Sequence, residues 1–124
     1  MKLRIRGNSV RLRLDRNEVA RLGDGHRVEE ITAIGPSTAF VYAIEQRDQT
    51  TSLAAYFEGN TLLVTVRAAD AITLANTEIV GLENEQPVDD GQVLHLVVEK
   101  DFACLTHRLG EDDSAAFDNP NLSC

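Results

Sequence analysis

Cys104-Leu105-Thr106-His107 sets a thiol and an imidazole three residues apart, with Asp101 just before them and Cys124 at the end of the sequence. Thiolate, imidazole and carboxylate are all zinc ligands. A structural zinc site takes four ligands, usually at paired spacings, and this chain offers one such pair. Cys104, His107 and Cys124 are therefore a candidate metal or redox set that stands on a single spacing. The simpler reading is a small, packed Cys104 after the last strand and a solvated His107. A disulfide between Cys104 and Cys124 would need an oxidising compartment. Nucleophilic catalysis could pair Cys104 with His107 or His95. Residues three apart in a loop seldom hold nucleophile and base at bonding distance, and no nucleophile elbow or glycine-rich phosphate loop is present. His26 sits in a turn, and Asp112-Asp113 lies in an acidic tail where carboxylates are ordinarily solvated. No catalytic set emerges, no cofactor is called for, and the reading leans away from an enzyme.

The other chemistry-bearing set is cationic. Lys2, Arg4 and Arg6 alternate with Leu3 and Ile5, and Arg11 and Arg13 alternate with Val10, Leu12 and Leu14. Period two on both sides of Gly7-Asn8 predicts a hairpin over residues 2–14 with one buried face. Gly7 supplies a positive φ at the first central position of a two-residue turn. That turn pairs Arg6 with Ser9, Ile5 with Val10, Arg4 with Arg11 and Leu3 with Leu12. A three-residue turn would set Arg4 against Leu12 and mix the faces. The favoured register stacks Arg4 on Arg11 and Lys2 on Arg13, and like charges directly opposite destabilise a sheet. Two such charges about 5 Å apart repel by roughly 0.8 kcal/mol in water and more near a protein surface. Lys2, Arg4, Arg6, Arg11 and Arg13 thus form an anion-binding or interaction face that requires something negative over it.

Charge is unevenly spread. The net charge is −8 over 124 residues. Residues 1–21 hold seven of the twelve Lys and Arg against only Asp15 and Glu18, so the remainder is strongly acidic. A basic arm on an acidic body predicts that the two meet, within the chain or between two copies of it. A phosphate backbone or another external anion is the alternative cover. The length suits one domain with a core that needs no metal or disulfide. No apolar run approaches a membrane span. No apolar signal region follows Met1-Lys2, so the expected setting is intracellular and reducing.

These residues must be positioned by short elements. Asp15 caps a helix over 17–22, closed by Gly23 and Gly25, with Val19, Ala20 and Leu22 inward. Strands are predicted over 28–34, 38–46, 53–57 and 61–66, divided by Gly35-Pro36-Ser37, a polar loop at 47–50, and Glu58-Gly59-Asn60. Ala68 to Ala75 favours a second short helix. Ile79, Val80 and Leu82 suggest a short strand, whereas Glu83-Asn84-Glu85-Gln86-Pro87 reads as turn chemistry. Gln92 to Glu99 is nearly continuous in apolar residues and reads as a central strand. No internal repeat is evident. The expected fold is mainly β (α+β): about eight mostly antiparallel short strands in a curved sheet, sandwich or partly closed barrel, with two short helices. One domain is expected over 1–109, followed by an acidic, turn-rich tail over 110–124.

Two resemblances rest on these residues. Arg4-Ile5-Arg6-Gly7-Asn8-Ser9-Val10-Arg11-Leu12, continuing through Glu18-Val19-Ala20-Arg21-Leu22-Gly23, resembles the swapped-hairpin DNA-binding domains of AbrB and the MazE antitoxin, which dimerise by interleaving hairpins. That family usually has a proline where this chain reads Leu14-Asp15-Arg16. Met1-Lys2-Leu3-Arg4-Ile5-Arg6-Gly7-Asn8-Ser9, with Val98-Glu99-Lys100-Asp101-Phe102-Ala103-Cys104-Leu105, the acidic run and Asn119-Pro120-Asn121, is similar over most of the chain to an uncharacterised family of small bacterial proteins. The second resemblance implies a bacterial cytoplasmic protein with no assigned activity.

Together these features predict a non-enzymatic intracellular domain with an interaction or structural role. Its basic hairpin would be covered by its own acidic segments or by a second copy. A nucleic-acid-binding module and a Cys104/His107/Cys124 metal or redox site are the alternatives.

Overall fold

The elements run β1 (Lys2–Arg6), β2 (Ser9–Leu14), α1 (Arg16–Gly23), β3 (Val28–Ala33), β4 (Ala39–Arg47), β5 (Leu53–Glu58), β6 (Thr61–Arg67), α2 (Ala68–Asn76), β7 (Gly81–Pro87) and β8 (Val93–Lys100). They are seen in a computed structural model that describes residues 1–103 and Phe117. The opening hairpin has the register its alternation predicts, from Arg6 opposite Ser9 to Lys2 opposite Arg13. Gly7 takes φ 53° at the first turn position, where an L side chain would be strained.

The Asp15 side chain accepts the Glu18 N–H, and Glu18 accepts the Asp15 N–H, closing a capping box at the start of α1. Val19 and Leu22 are buried as expected. Ala20 is exposed, because one further step around the helix turns it off their stripe. The polar run 83–86 corrects the sequence reading: it belongs to strand β7. Leu82, Asn84 and Gln86 are half-buried there, while Glu83 and Glu85 are exposed. An edge strand with one wet face tolerates this polarity, which is why turn propensity misleads at that point.

Two four-stranded sheets result, ordered β1-β2-β8-β7 and β3-β4-β6-β5. Hairpins supply the antiparallel pairs, and the central pairs β2–β8 and β4–β6 are parallel. Among the described residues the protein is therefore mostly β in two mixed sheets, without a closed barrel.

The sheets are assembled by exchange, which corrects the expectation of no internal repeat. Residues 1–47 and 53–100 each form hairpin, helix, hairpin. The first hairpin of one half joins the second hairpin of the other half, in both directions. Arg6-Gly7-Asn8-Ser9 corresponds to Glu58-Gly59-Asn60-Thr61, 52 positions on, and the second hairpins correspond at 54 positions. Even single bonds repeat: the His95 N–H donates to the Asn8 carbonyl, and the Val41 N–H to that of Asn60.

Core residues come from both halves, including Leu12, Leu14, Ile44, Leu53, Val64 and Leu96. The two helices meet at equivalent positions. A Cβ on Gly23 would lie 2.6 Å from the Cβ of Ala75, so glycine there sets the closeness of α1 and α2.

Candidate functional site

The pleat sends every second residue of the first sheet outward, and the two kinds of pairing align those residues in rows. Lys2, Arg13, Glu99 and Gly81 form one row; Arg4, Arg11, Val97 and Glu83 the next; Arg6, Ser9, His95 and Glu85 the third. Cations thus occupy β1 and β2, and carboxylates occupy β8 and β7. The five predicted cations are brought onto one face, and the same face carries its own acids.

Glu99 sits in the register opposite Arg13 and accepts from Arg13 Nε at 2.7 Å and from Arg11 at 3.3 Å. Lys2 pairs with Asp101 at 2.8 Å, where the chain leaves β8. These contacts differ in weight. Lys2 is 71% exposed, so its pair is screened by water, whereas Arg13 and Glu99 are 16% and 23% exposed and better shielded. Arg6, at the hairpin tip, makes no hydrogen bond or ion pair with a described residue. His95 Nδ1 lies 3.4 Å from Glu85 Oε1, and both groups are open to solvent.

Sequence reasoning missed two polar sites along the joints between the sheets. At the first, the Met1 ammonium is held by Glu18 at 2.6 Å and Glu30 at 3.3 Å, and the Tyr42 hydroxyl donates to the Met1 carbonyl. Burial pulls the ammonium pKa down. The hydrogen bonds and charges of Glu18 and Glu30 outweigh it and leave the value raised above 8.0. The Tyr42 hydroxyl is also raised, by burial first and then by Glu30 and Glu18. The spacing Asp15-x-x-Glu18 is a capping-box signal that could have drawn attention to Glu18. At the second joint, the Ala55 N–H donates to Gln86 at 2.8 Å, Gln86 donates to the Ala55 carbonyl at 3.0 Å, and Asn84 donates to the Leu53 carbonyl at 2.7 Å. No sequence signal marks these amides, because their partners lie 31 residues away.

The outer face of the second sheet has diverged from its counterpart. Tyr56 stands where the first sheet has Arg4, Leu63 where it has Arg11, and Ile31 where it has Glu85. One scaffold thus presents a charged face and a more apolar one.

Cys104, His107 and Cys124 lie outside the described residues. Among the described residues, no group of three His, Cys, Asp or Glu is arranged to hold a metal ion, and no helix is long and apolar enough to cross a membrane. No curated protein and no solved structure matches the chain. The chain does match one family model over residues 1–121, and it belongs to that family, a family of unknown function named DUF7009.

Proposed function

We propose that this chain is a non-enzymatic interaction module of the bacterial cytoplasm whose recognition surface is the basic face of β1 and β2. One observation carries the reading. Arg11 and Arg13 converge on Glu99 and Lys2 pairs with Asp101, so the fold answers its inner cations with its own carboxylates, while Arg6, exposed at the end of β1, is left to meet a partner. Self-pairing of this kind lowers affinity for arbitrary polyanions and favours a partner that matches the row of charges. The bacterial setting rests on the resemblance of the opening and closing motifs.

The test is Arg4→Glu combined with Arg11→Glu. Reversal at Arg11 turns the Glu99 contact into a repulsion. The expected loss is about 1 kcal/mol at low ionic strength, shrinking as salt is added. A melting temperature unchanged in low salt removes the reading.

Nucleic acid is the second reading, and the exchange of hairpins favours it, being the feature shared with AbrB-like and MazE-like dimers. Glu83, Glu85, Glu99 and Asp101 on or beside the same face oppose it. A gel shift with duplex DNA that weakens steeply with salt would move it to first place.

A further inference from the structure

The two halves repeat each other, so each joint between the sheets is a control for the other. A two-residue turn makes Arg6 and Ser9 a hydrogen-bonded pair. Arg4–Arg11 and Lys2–Arg13 then bond likewise, and Leu3 and Ile5 direct their N–H and C=O groups away from β2. In the equivalent hairpin, Leu53, Ala55 and Phe57 are the outward residues. There Gln86 takes both backbone groups of Ala55 and Asn84 takes the carbonyl of Leu53, while Phe57, the equivalent of Ile5, has no such bond to a described residue.

At the first joint the equivalents are Thr32 for Gln86 and Glu30 for Asn84. Glu30 turns to the Met1 ammonium. Thr32 is too short to span, and it makes no bond to Leu3. β1 pairs with β2 alone among the described strands. Ile5 is 58% exposed, on the side of the sheets that elsewhere forms the core, and Thr32 is exposed as well. An edge strand left with free backbone groups is a template for another strand. The amide plug that covers Ala55 in one half has no counterpart at Leu3 among the described residues of the other.

We propose that the free edge of β1 at Leu3 and Ile5 receives an extended segment of another protein by strand addition, the segment alternating acidic and apolar residues. Pairing to an edge gives affinity through the backbone, and alternate side chains give specificity. Side chains of the added strand that fall beside Lys2, Arg4 and Arg6 meet a cationic row, so carboxylates fit there. Those beside Leu3 and Ile5 meet apolar neighbours. This inference rests on the reading of β1 and β2 as the interaction surface, and it adds the partner's backbone form and side-chain pattern.

The test uses the full chain and an N-acetylated Glu-Val repeat peptide, followed by amide exchange and chemical shifts, with a Lys-Val repeat as control. In the free protein the Leu3 amide should exchange fast, whereas the Ala55 amide, held by Gln86, should be protected. The Glu-Val peptide should protect the Leu3 and Ile5 amides, and the Lys-Val peptide should not. Thr32→Gln restores the amide plug of the other joint. It should slow exchange at Leu3 and weaken peptide binding roughly tenfold, about 1.4 kcal/mol. Peptide signals confined to the Lys and Arg side chains would overturn strand addition while leaving the basic face as the interaction surface. Slow Leu3 exchange in the free chain would also overturn it. Its dependence on concentration would then tell a second copy from the chain's own acidic tail as the occupant. Absence of binding to either peptide, or a Thr32→Gln variant indistinguishable from the parent, overturns it as well.

Discussion

At the scale of single residues, Glu18 does the most that composition could not foretell. One carboxylate closes the capping box of α1 and also holds the Met1 ammonium. Glu18→Gln keeps an acceptor for the Asp15 N–H and removes the charge that the ammonium faces. Its cost near pH 7 should be about 2 kcal/mol, the range for hydrogen bonds to charged groups. The pH dependence has a definite sign. An amine whose folded pKa is raised above its unfolded value of 8.0 stabilises the fold fully below that pH and loses the contribution as pH rises through the folded value. The stability gap between parent and Glu18→Gln should therefore be widest below pH 8 and narrow above it. Thermal melts of both proteins across that range check this, and a gap that widens with pH would refute the assignment. The cationic set, by contrast, was legible because period two fixes which side chains share a face, and a two-residue turn fixes their register. Its covering acids Glu99 and Asp101 were not, because they arrive from β8, 86 or more residues away.

At the scale of elements, strands and helices with local signals were readable, and those defined by partners were not. Asp15 announced α1, and Gly-Asn turns announced two hairpins. β7 was hidden, because Glu83-Asn84-Glu85-Gln86 has the composition of a loop and becomes a strand only through β8. The parallel pairs β2–β8 and β4–β6 leave no local trace either. The repeat did leave a trace, in Gly7-Asn8-Ser9 and Gly59-Asn60-Thr61 followed by alternating apolar residues and a short helix. Equivalence of the halves makes the helix contact testable. Gly23→Ala places a methyl 2.6 Å from Ala75 Cβ and should destabilise by about 1–3 kcal/mol, as overpacking does. Ala75→Gly removes the obstruction from the equivalent position on the other helix. The double variant should recover most of the loss, beyond the helix-propensity cost of the new glycine. Chemical denaturation of the two single variants and the double variant measures the coupling, and strict additivity would show that the helices do not meet through these residues.

At the scale of the whole molecule, exchange of hairpins makes each sheet a joint product of both halves. The first sheet takes β1 and β2 from the first half and β7 and β8 from the second, and the second sheet takes the reverse. Neither half can bury its own hairpins alone. Leu12 and Leu14 lie beside Val98 and Lys100 in register, while Ile44 lies beside Val64. A cut in the polar loop between β4 and β5 should therefore leave a complex held by sheets and core, without separating two folded pieces. The fragments 1–49 and 50–124 should each lack a folded monomer and should regain the parent's circular dichroism when mixed. Either fragment alone has one remaining route to a fold, exchange with a second copy of itself, since it carries both kinds of hairpin. The identities of the equivalents decide how well that works. Two copies of the first half would set Arg11 and Arg13 beside β4, whose outward residues include Val41, Ala43 and Glu45, and only Glu45 could answer the arginines. Mixed fragments restore Glu99 and its two arginines, so the heterocomplex should outcompete either homodimer. Size-exclusion chromatography with light scattering distinguishes these species, and a monomeric folded fragment from either half would contradict the exchange.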